Sequence, residues 1–469
     1  MFNHDTFYWI NQIEKASVLM TLQEGIITKE VAQKVASAIQ RLSNSSRRPN
    51  DYHEIQPMLF ELTGLEGSMI HVGRSWQDML ATIHRLLVRD RFLYLYYLSL
   101  ETRKRLVKIA DNNADTIVPS YTYGVQAQPV TLGHLFLGYE ATLARSTDRL
   151  CSYFVRLNKC PLGAAALATS SFPINRASLA DFLGFEGYVE NAFDAAQLSL
   201  IDVGVEAAYI SSLVALSIGT FIQDLHIQFH HTRPWLLLET ESLNSPSTLM
   251  PQKRNPSSLD KVRLLASQVT GDAFRSCISS HNVNSGLTDY KNAEISETLE
   301  RACLMLKDVN AILDGLTVDK EAALAQVNAD YSTTTELANS LQRQAGIPFK
   351  IAHEFASRLT KYGRQHQLAP KQLPFDAAVA IFDDVMLEMA KEKMEFPLSK
   401  EAFFKHLDPA NMIESYLTLG GTNPSEVQRI SKKVTANLQA HEAWLYRIQQ
   451  NLQKADERLT EMFEDLIRQ

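Results

Sequence analysis

Three polar stretches carry the residue types from which an anion-handling site is built. Residues 244–258, NSPSTLMPQKRNPSS, gather hydroxyls (Ser245, Ser247, Thr248), a cation (Lys253) and an amide (Asn255) among three prolines that forbid a continuous helix. The stretch runs straight into a helical pattern beginning near Leu259, and the N–H groups of a helix start together with Lys253 form an anion site. Residues 68–78, SMIHVGRSWQD, cluster Arg74, Ser75 and Gln77 ahead of a long helix. Residues 120–134, SYTYGVQAQPVTLGH, offer Thr122, Gln128 and Thr131 as neutral hydrogen-bonding groups. Each stretch taken alone also reads as a plain connector. Three of them at helix ends point to one shared polar site.

The elements that must position these loops are helical. Leu299, Cys303, Leu306, Val309 and Leu313 recur at three- and four-residue steps, as do Val427, Ile430, Val434 and Leu438, and Leu459, Met462, Phe463 and Leu466 continue the pattern. Two-residue alternation bounded by turn residues is nearly absent, so the reading is all-α. Residues 85–111 and 133–157 lack internal proline and predict long helices of a bundle. Polar breakers fall at 43–57, 280–290 and 420–424. Residues 204–222 are apolar over about one bilayer span, but Glu206, several serines and the following Gln223 and Asp224 favour a helix buried on all sides within the bundle.

Composition sets the outer bounds. The 469 residues carry 46 Lys+Arg against 53 Asp+Glu, a formal charge of −7, without a long basic run, which argues against a nucleic-acid or membrane-surface role. The four cysteines (151, 160, 277, 303) show neither a CxxC spacing nor a disulfide density and read as buried fillers. His71, at the start of the HVGRSWQD block, and His84 beyond it read as helix-surface or core-satisfied histidines. His230 and His231 have no partner at zinc-ligand spacing, so no metal site is expected. The N-terminal residues MFNHDTFYWINQIEK lack a signal-peptide core, and a cytoplasmic protein is expected.

MPQKRNP at 250–256, preceded by Ser247, resembles the signature loop of the fumarase/aspartase/argininosuccinate lyase superfamily. HVGRSWQD at 71–78 and YTYGVQAQPVTLGH at 121–134 are similar to its other two signature blocks. PLGAAALATSSFPINR (161–176), LGFEGYVENAFDA (183–195), YSTTTELANSLQRQAGIPFKIAHE (331–354) and LGGTNPSEV (419–427) resemble the argininosuccinate lyase branch in particular. The likeness implies a three-domain subunit: a small N-terminal helical domain at 1–70, a long central helical bundle at 71–325 and a C-terminal helical domain at 326–469. It further implies a homotetramer whose active sites are shared between subunits, so that Thr122, Ser75 and Ser247 do not meet within one protomer. The expected reaction is a cofactor-free C–N elimination from an N-substituted aspartate, giving fumarate through an aci-carboxylate dianion.

By the same resemblance Ser247 is the catalytic base, and Lys253, Asn255 and Gln252 hold the substrate carboxylate. Ser75, Thr122 and Gln77 bind carboxylates, Gln77 standing where asparagine is usual, and Tyr290 survives in the third loop although KNAEISE after it diverges. The departures are informative. Tyr123 replaces a histidine and Asp260 the glutamate that pairs with it; the pair keeps an acid–base assignment, but tyrosine's ordinary pKa of about 10 makes it a poor relay near neutrality. Trp76 replaces an arginine, Pro246 a glycine, and Glu14 and Ser17 stand where the branch carries serine and histidine. The carboxylate clamp is retained better than the amine pocket, which points away from argininosuccinate itself. The alternative is a catalytically silent homologue kept for structure or binding.

Overall fold

The computed structural model describes residues 4–287 and 295–468, and its elements sort by the apolar core each one helps to fill. The first core joins α1 (Thr6–Gln23), α2 (Lys29–Ser43), α3 (Tyr52–Thr63) and the first turns of α4 (Trp76–Asn112). Local chemistry starts each helix. Asp5 accepts from the Tyr8 N–H at 2.9 Å, Thr28 from Val31 at 3.4 Å and Asp51 from His53 at 2.9 Å, each capping an otherwise unpaired first turn. Helix α3 runs through Pro57, so the second proline of the 43–57 stretch lies inside a helix and not in the loop. Tyr52, Ile55 and Leu59 bury one face of it, which offsets the lost backbone bond.

Beyond α4 the chain forms a hairpin, β1 (Ile117–Thr122) with β2 (Val125–Thr131), then α5 (Leu132–Leu157) and the short α6 (Arg176–Phe182). Next come α7 (Ser199–Ile227), β3 (Leu236–Leu238), β4 (Ser245–Pro246), β5 (Arg254–Asn255), α8 (Ser257–Ser280), α9 (Ile295–Asp314) and β6 (Leu316–Val318). Helices α4, α5, α7, α8 and α9 enclose the second and largest core. The third core is built by α11 (Thr334–Ala345), α12 (Phe349–Gln365), α13 (Phe375–Met389) and α14 (Lys400–His406), reached through α10 (Lys320–Ala329) and followed by α15 (Pro409–Ser415). Helix α16 (Pro424–Arg468) then returns along the first two cores. Its Val427–Ile448 stretch fills the second core, while Leu459, Phe463 and Leu466 fill the first.

Helix α4 is the axis of the arrangement, 37 residues and so about 55 Å long. Its buried arginines fasten its neighbours. Arg85 donates to the last carbonyls of α5, Arg156 at 2.7 Å and Leu157 at 3.0 Å, and Arg103 pairs with Glu140 at 2.6 Å. Helix α7 is not buried on all sides: Tyr209, Leu213 and Leu216 are exposed, and Leu264, Phe274 and Ile278 of α8 extend the apolar face. The helical run Asp194–His230 is apolar and long enough to cross a bilayer, yet 56% of its most apolar window is buried inside the protomer. Cys160 and Cys303 are buried as expected, whereas Cys151 and Cys277 are half-exposed.

Candidate active site

The Ser247 loop is a small hairpin with a closed tip. Ser245 pairs with Asn255 and Pro246 with Arg254, and below them Asn244 donates to the carbonyls of Leu238 at 2.6 Å and Thr240 at 3.2 Å. Pro246 cannot donate a rung, but the Ser247 N–H does so to the Lys253 carbonyl at 3.2 Å, and Lys253 N–H reaches the Met250 carbonyl at 3.0 Å. The Ser247 hydroxyl oxygen accepts two backbone N–H groups, Met250 at 3.0 Å and Leu249 at 3.3 Å. Two donors on one oxygen stabilise its anionic form, the requirement for a serine that acts as a base. Ser247 and Asn255 are half-buried, while Gln252 and Lys253 project into solvent from the protomer. Asp260, one turn into α8, is exposed and held by Arg263 at 3.1 Å; no hydrogen bond joins it to Tyr123 within the protomer.

The 120–134 stretch is not an irregular loop but the β1–β2 hairpin with Thr122 opposite Val125. Tyr123 and Gly124 form its two-residue turn, with φ of 54° and 74°. Both positions of such a turn lie in the left-handed region, which an aromatic residue adopts at a cost. The base is clamped. Gln126 donates to Ser332 at 2.7 Å, Gln128 to the Tyr416 hydroxyl at 3.1 Å, and Thr131 bonds Thr422 through its N–H at 2.5 Å and its hydroxyl at 2.9 Å. The tip is free, with Thr122 exposed and Tyr123 wholly so, at 105%.

Ser75 caps α4, its oxygen taking the Gln77 N–H at 3.3 Å while Asp78 takes the Ser75 N–H at 2.8 Å. The other oxygen of Asp78 accepts from Gly163 at 2.9 Å and Ala165 at 3.0 Å. Burial pushes the Asp78 carboxyl up to about 6 in spite of those three donors. Gln77 donates to the Gly286 carbonyl at 3.4 Å, and Gly286 donates to Gln197 at 3.0 Å, which places the 281–287 loop beside this block. Tyr290 lies outside the described residues.

Behind Ser75 sits a buried ion pair that the residue types alone did not disclose. Arg74 meets Glu14 at 3.2 Å and donates to Ser17 at 2.8 Å, both charged side chains being almost wholly buried. The two N-terminal departures thus answer one arginine sixty residues away. Trp76 packs on Tyr52, their rings 6.1 Å apart, and on His53 at 5.6 Å, so its large apolar surface has a seat. Burial and the Arg74 charge hold His71 down at about 4, a neutral imidazole at pH 7. Asp78 is the residue the sequence reading passed over, although the S-x-x-D spacing of a capping box at 75–78 was there to be read.

One protomer does not assemble all three blocks. Ser75 and the hairpin stand at opposite ends of α4, and nine extended residues beyond Asn113 leave Thr122 at least about 25 Å from Ser75. The Ser247 loop is rooted toward the hairpin end: Arg105 on α4 holds Asp314 at the end of α9 at 2.9 Å, and β6, which follows, pairs with β3.

Hydroxyl- and amide-bearing loops thus stand at both ends of a long helical bundle. Residues 11–271 match a family model described as lyase, and residues 331–414 match argininosuccinate lyase C-terminal. The argininosuccinate lyase of Methanosarcina acetivorans is 29% identical over 97% of this chain and 92% of its own length, and that of Bacillus mycoides is 31% identical over 89% of each. Among solved structures, EDDS lyase in complex with formate superposes with a TM-score of 0.90 at 24% identity, covering 99% of this chain and 92% of that one, a likeness of fold. The chain belongs to the fumarase/aspartase superfamily, in its argininosuccinate lyase branch, and is a carbon–nitrogen lyase.

Proposed function

We propose that the protein eliminates an amine from an N-substituted aspartate to give fumarate, with a leaving group other than that of argininosuccinate. The observation that carries this reading is the Ser247 oxygen accepting two backbone N–H groups inside a preformed hairpin. As the alkoxide, Ser247 takes the proton beside a substrate carboxylate. The electron pair lodges in that carboxylate as a dianion, held by Lys253, Asn255 and Gln252. Its collapse expels the amine, whose nitrogen takes a proton from Tyr123 or from a water that Tyr123 and Asp260 hold. Ser75, Gln77, Thr122 and Tyr290 bind the remaining carboxylate.

This scheme needs four copies of the chain, each site taking its blocks from different protomers. The exposed apolar face of α7 and α8 and the projecting Tyr123 tip support that assembly, as large apolar patches are otherwise disfavoured. We further propose a cytoplasmic enzyme divided at 1–70, 71–325 and 326–469, its last helix shared between the first two bodies.

The test is loss of fumarate's ultraviolet absorbance when the protein is mixed with fumarate and a panel of amines. Consumption with one amine, reduced about 10²–10⁴-fold by Ser247→Ala, is expected. A folded tetramer that turns over no amine and no succinylated substrate would instead be the silent homologue.

A further inference from the structure

Between Phe193 and the start of α7 the chain makes a π-helical turn, Asp194–Leu198, in which the Ser199 N–H closes on the Asp194 carbonyl five residues back. The Ser199 hydroxyl donates to the same carbonyl at 3.0 Å. Wide turns of this kind are rare and recur at functional sites. The fully buried polar side chain of this one is Gln197, 1% exposed, and its amide is the most consequential group in the molecule that the three loops do not themselves supply.

That amide joins two segments of backbone. Its Nε2 donates to the Ala166 carbonyl at 2.7 Å, and its Oε1 accepts the Gly286 N–H at 3.0 Å. Both segments touch the first turn of α4. Gly163 and Ala165 donate to Asp78, whose other oxygen holds the Ser75 N–H, and the Gly286 carbonyl accepts from Gln77 Nε2 at 3.4 Å. Gly286 therefore has its N–H on Gln197 and its carbonyl on Gln77. The rest of the 281–287 loop is lightly held. Val283 packs beside Ala81 and Leu200, the Leu287 N–H reaches the Asn284 carbonyl at 3.3 Å, and every loop residue except Val283 is exposed. An exposed loop with so little apolar burial opens readily unless a buried group ties it down.

We infer that Gln197 is a positioning residue for the elimination: it holds the 281–287 loop through Gly286, and the loop in turn sets the plane of the Gln77 amide. This rests on the reading of Gln77 as a residue that binds a substrate carboxylate. Gln197 is buried and both ends of its amide lie on backbone, so it acts through Gln77 and not on the substrate. The terminal torsion of a glutamine is broad, and fixing it before the substrate arrives removes an ordering cost from binding. Loss of Gln197 therefore weakens the hold on the carboxylate, while proton abstraction by Ser247 is left as it was.

The experiment pairs calorimetric titration of the full-length oligomer with succinate, a dicarboxylate that has nothing to eliminate, with hydrogen exchange of the 281–287 amides. Gln197→Met keeps the length of the side chain and removes the amide; it is expected to speed exchange across 281–287 and to weaken succinate binding about tenfold. Gln77→Ala is expected to weaken succinate by itself, and adding Gln197→Met to it to cost nothing further, because the two act in series. Gln197→Glu keeps an oxygen for the Gly286 N–H and is expected to recover most of the affinity. In turnover, Gln197→Met should raise KM about tenfold and leave kcat within about threefold. The inference is overturned if Gln197→Met leaves either loop exchange or succinate affinity unchanged, or if its effect adds in full to that of Gln77→Ala. It is equally overturned if Gln197→Glu is no better than Gln197→Met, or if both lose the folded oligomer, which would make Gln197 a structural residue only. A parent protein that binds no succinate sinks the carboxylate-binding reading of the site instead, and loop exchange alone then decides whether Gln197 is the anchor.

Discussion

Replacing Asp78 by asparagine isolates the electrostatic cost of the turn that holds Ser75. The carboxyl is fully buried and moves from an ordinary value of 3.8 up to about 6. That shift is worth about 3 kcal/mol, the amount by which burial outweighs three N–H donors when the group is charged. The sign follows from proton uptake. Between the two pKa values the folded chain binds a proton that the unfolded chain has released, so this contribution is fully present below about 4 and is lost as pH rises through about 6. About 2 of the 3 kcal/mol disappear between pH 4.5 and pH 7. Asparagine cannot titrate, so the stability of the parent protein measured against the Asp78→Asn variant should fall by about 2 kcal/mol over that interval. Denaturant unfolding followed by circular dichroism at a series of pH values reads the difference directly. A parent-minus-variant difference that stays flat from pH 4.5 to pH 7 would refute the reasoning, and one that rises with pH would show that the three donors win.

Removing Glu14 alone, as in Glu14→Leu, strands the Arg74 charge and should cost about 3–5 kcal/mol, whereas Glu14→Leu with Arg74→Met should recover most of it; urea midpoints of the double-mutant cycle decide. Gly73→Ala places a Cβ 2.3 Å from Ile174 Cγ1 at a φ of +64°, and should lower the melting temperature together with kcat, since Ser75 is two residues on; an unchanged kcat in the folded variant contradicts that link. Tyr123→Gly should stabilise the hairpin by about 1–2 kcal/mol by relieving its left-handed backbone, yet reduce kcat/KM if the tip enters a neighbouring site; a stabler enzyme of full activity would remove tyrosine from the mechanism. Tyr123→His tests the leaving group, because activity on argininosuccinate appearing in that variant would identify the tyrosine as the obstacle.

The helices were legible because their apolar residues keep a three-to-four-residue step, and α4 also announces its start through Ser75 and Asp78. The hairpin was not. Pro119 interrupts its first strand, whose burial does not alternate, and Tyr-Gly is a weaker turn signal than Asn-Gly. Pro57 within α3 misled for the opposite reason, since packing of Tyr52, Ile55 and Leu59 overrides a local breaker. The exposed face of α7 was hidden because an apolar helix reads alike whether its own chain or another copy covers it. As for the site, the loop residues stand out by type, but what anchors them does not: Glu14 meets Arg74 across sixty positions, and Gly163 and Ala165 meet Asp78 across more than eighty.

The long closing helix has a consequence for biosynthesis. Leu459, Phe463 and Leu466 are packed among residues that begin at Phe7. A ribosome adding residues one by one therefore releases the opening helices long before their last apolar partners exist. The first core is therefore among the last to be completed, and until α16 is made its earlier helices expose an apolar cleft.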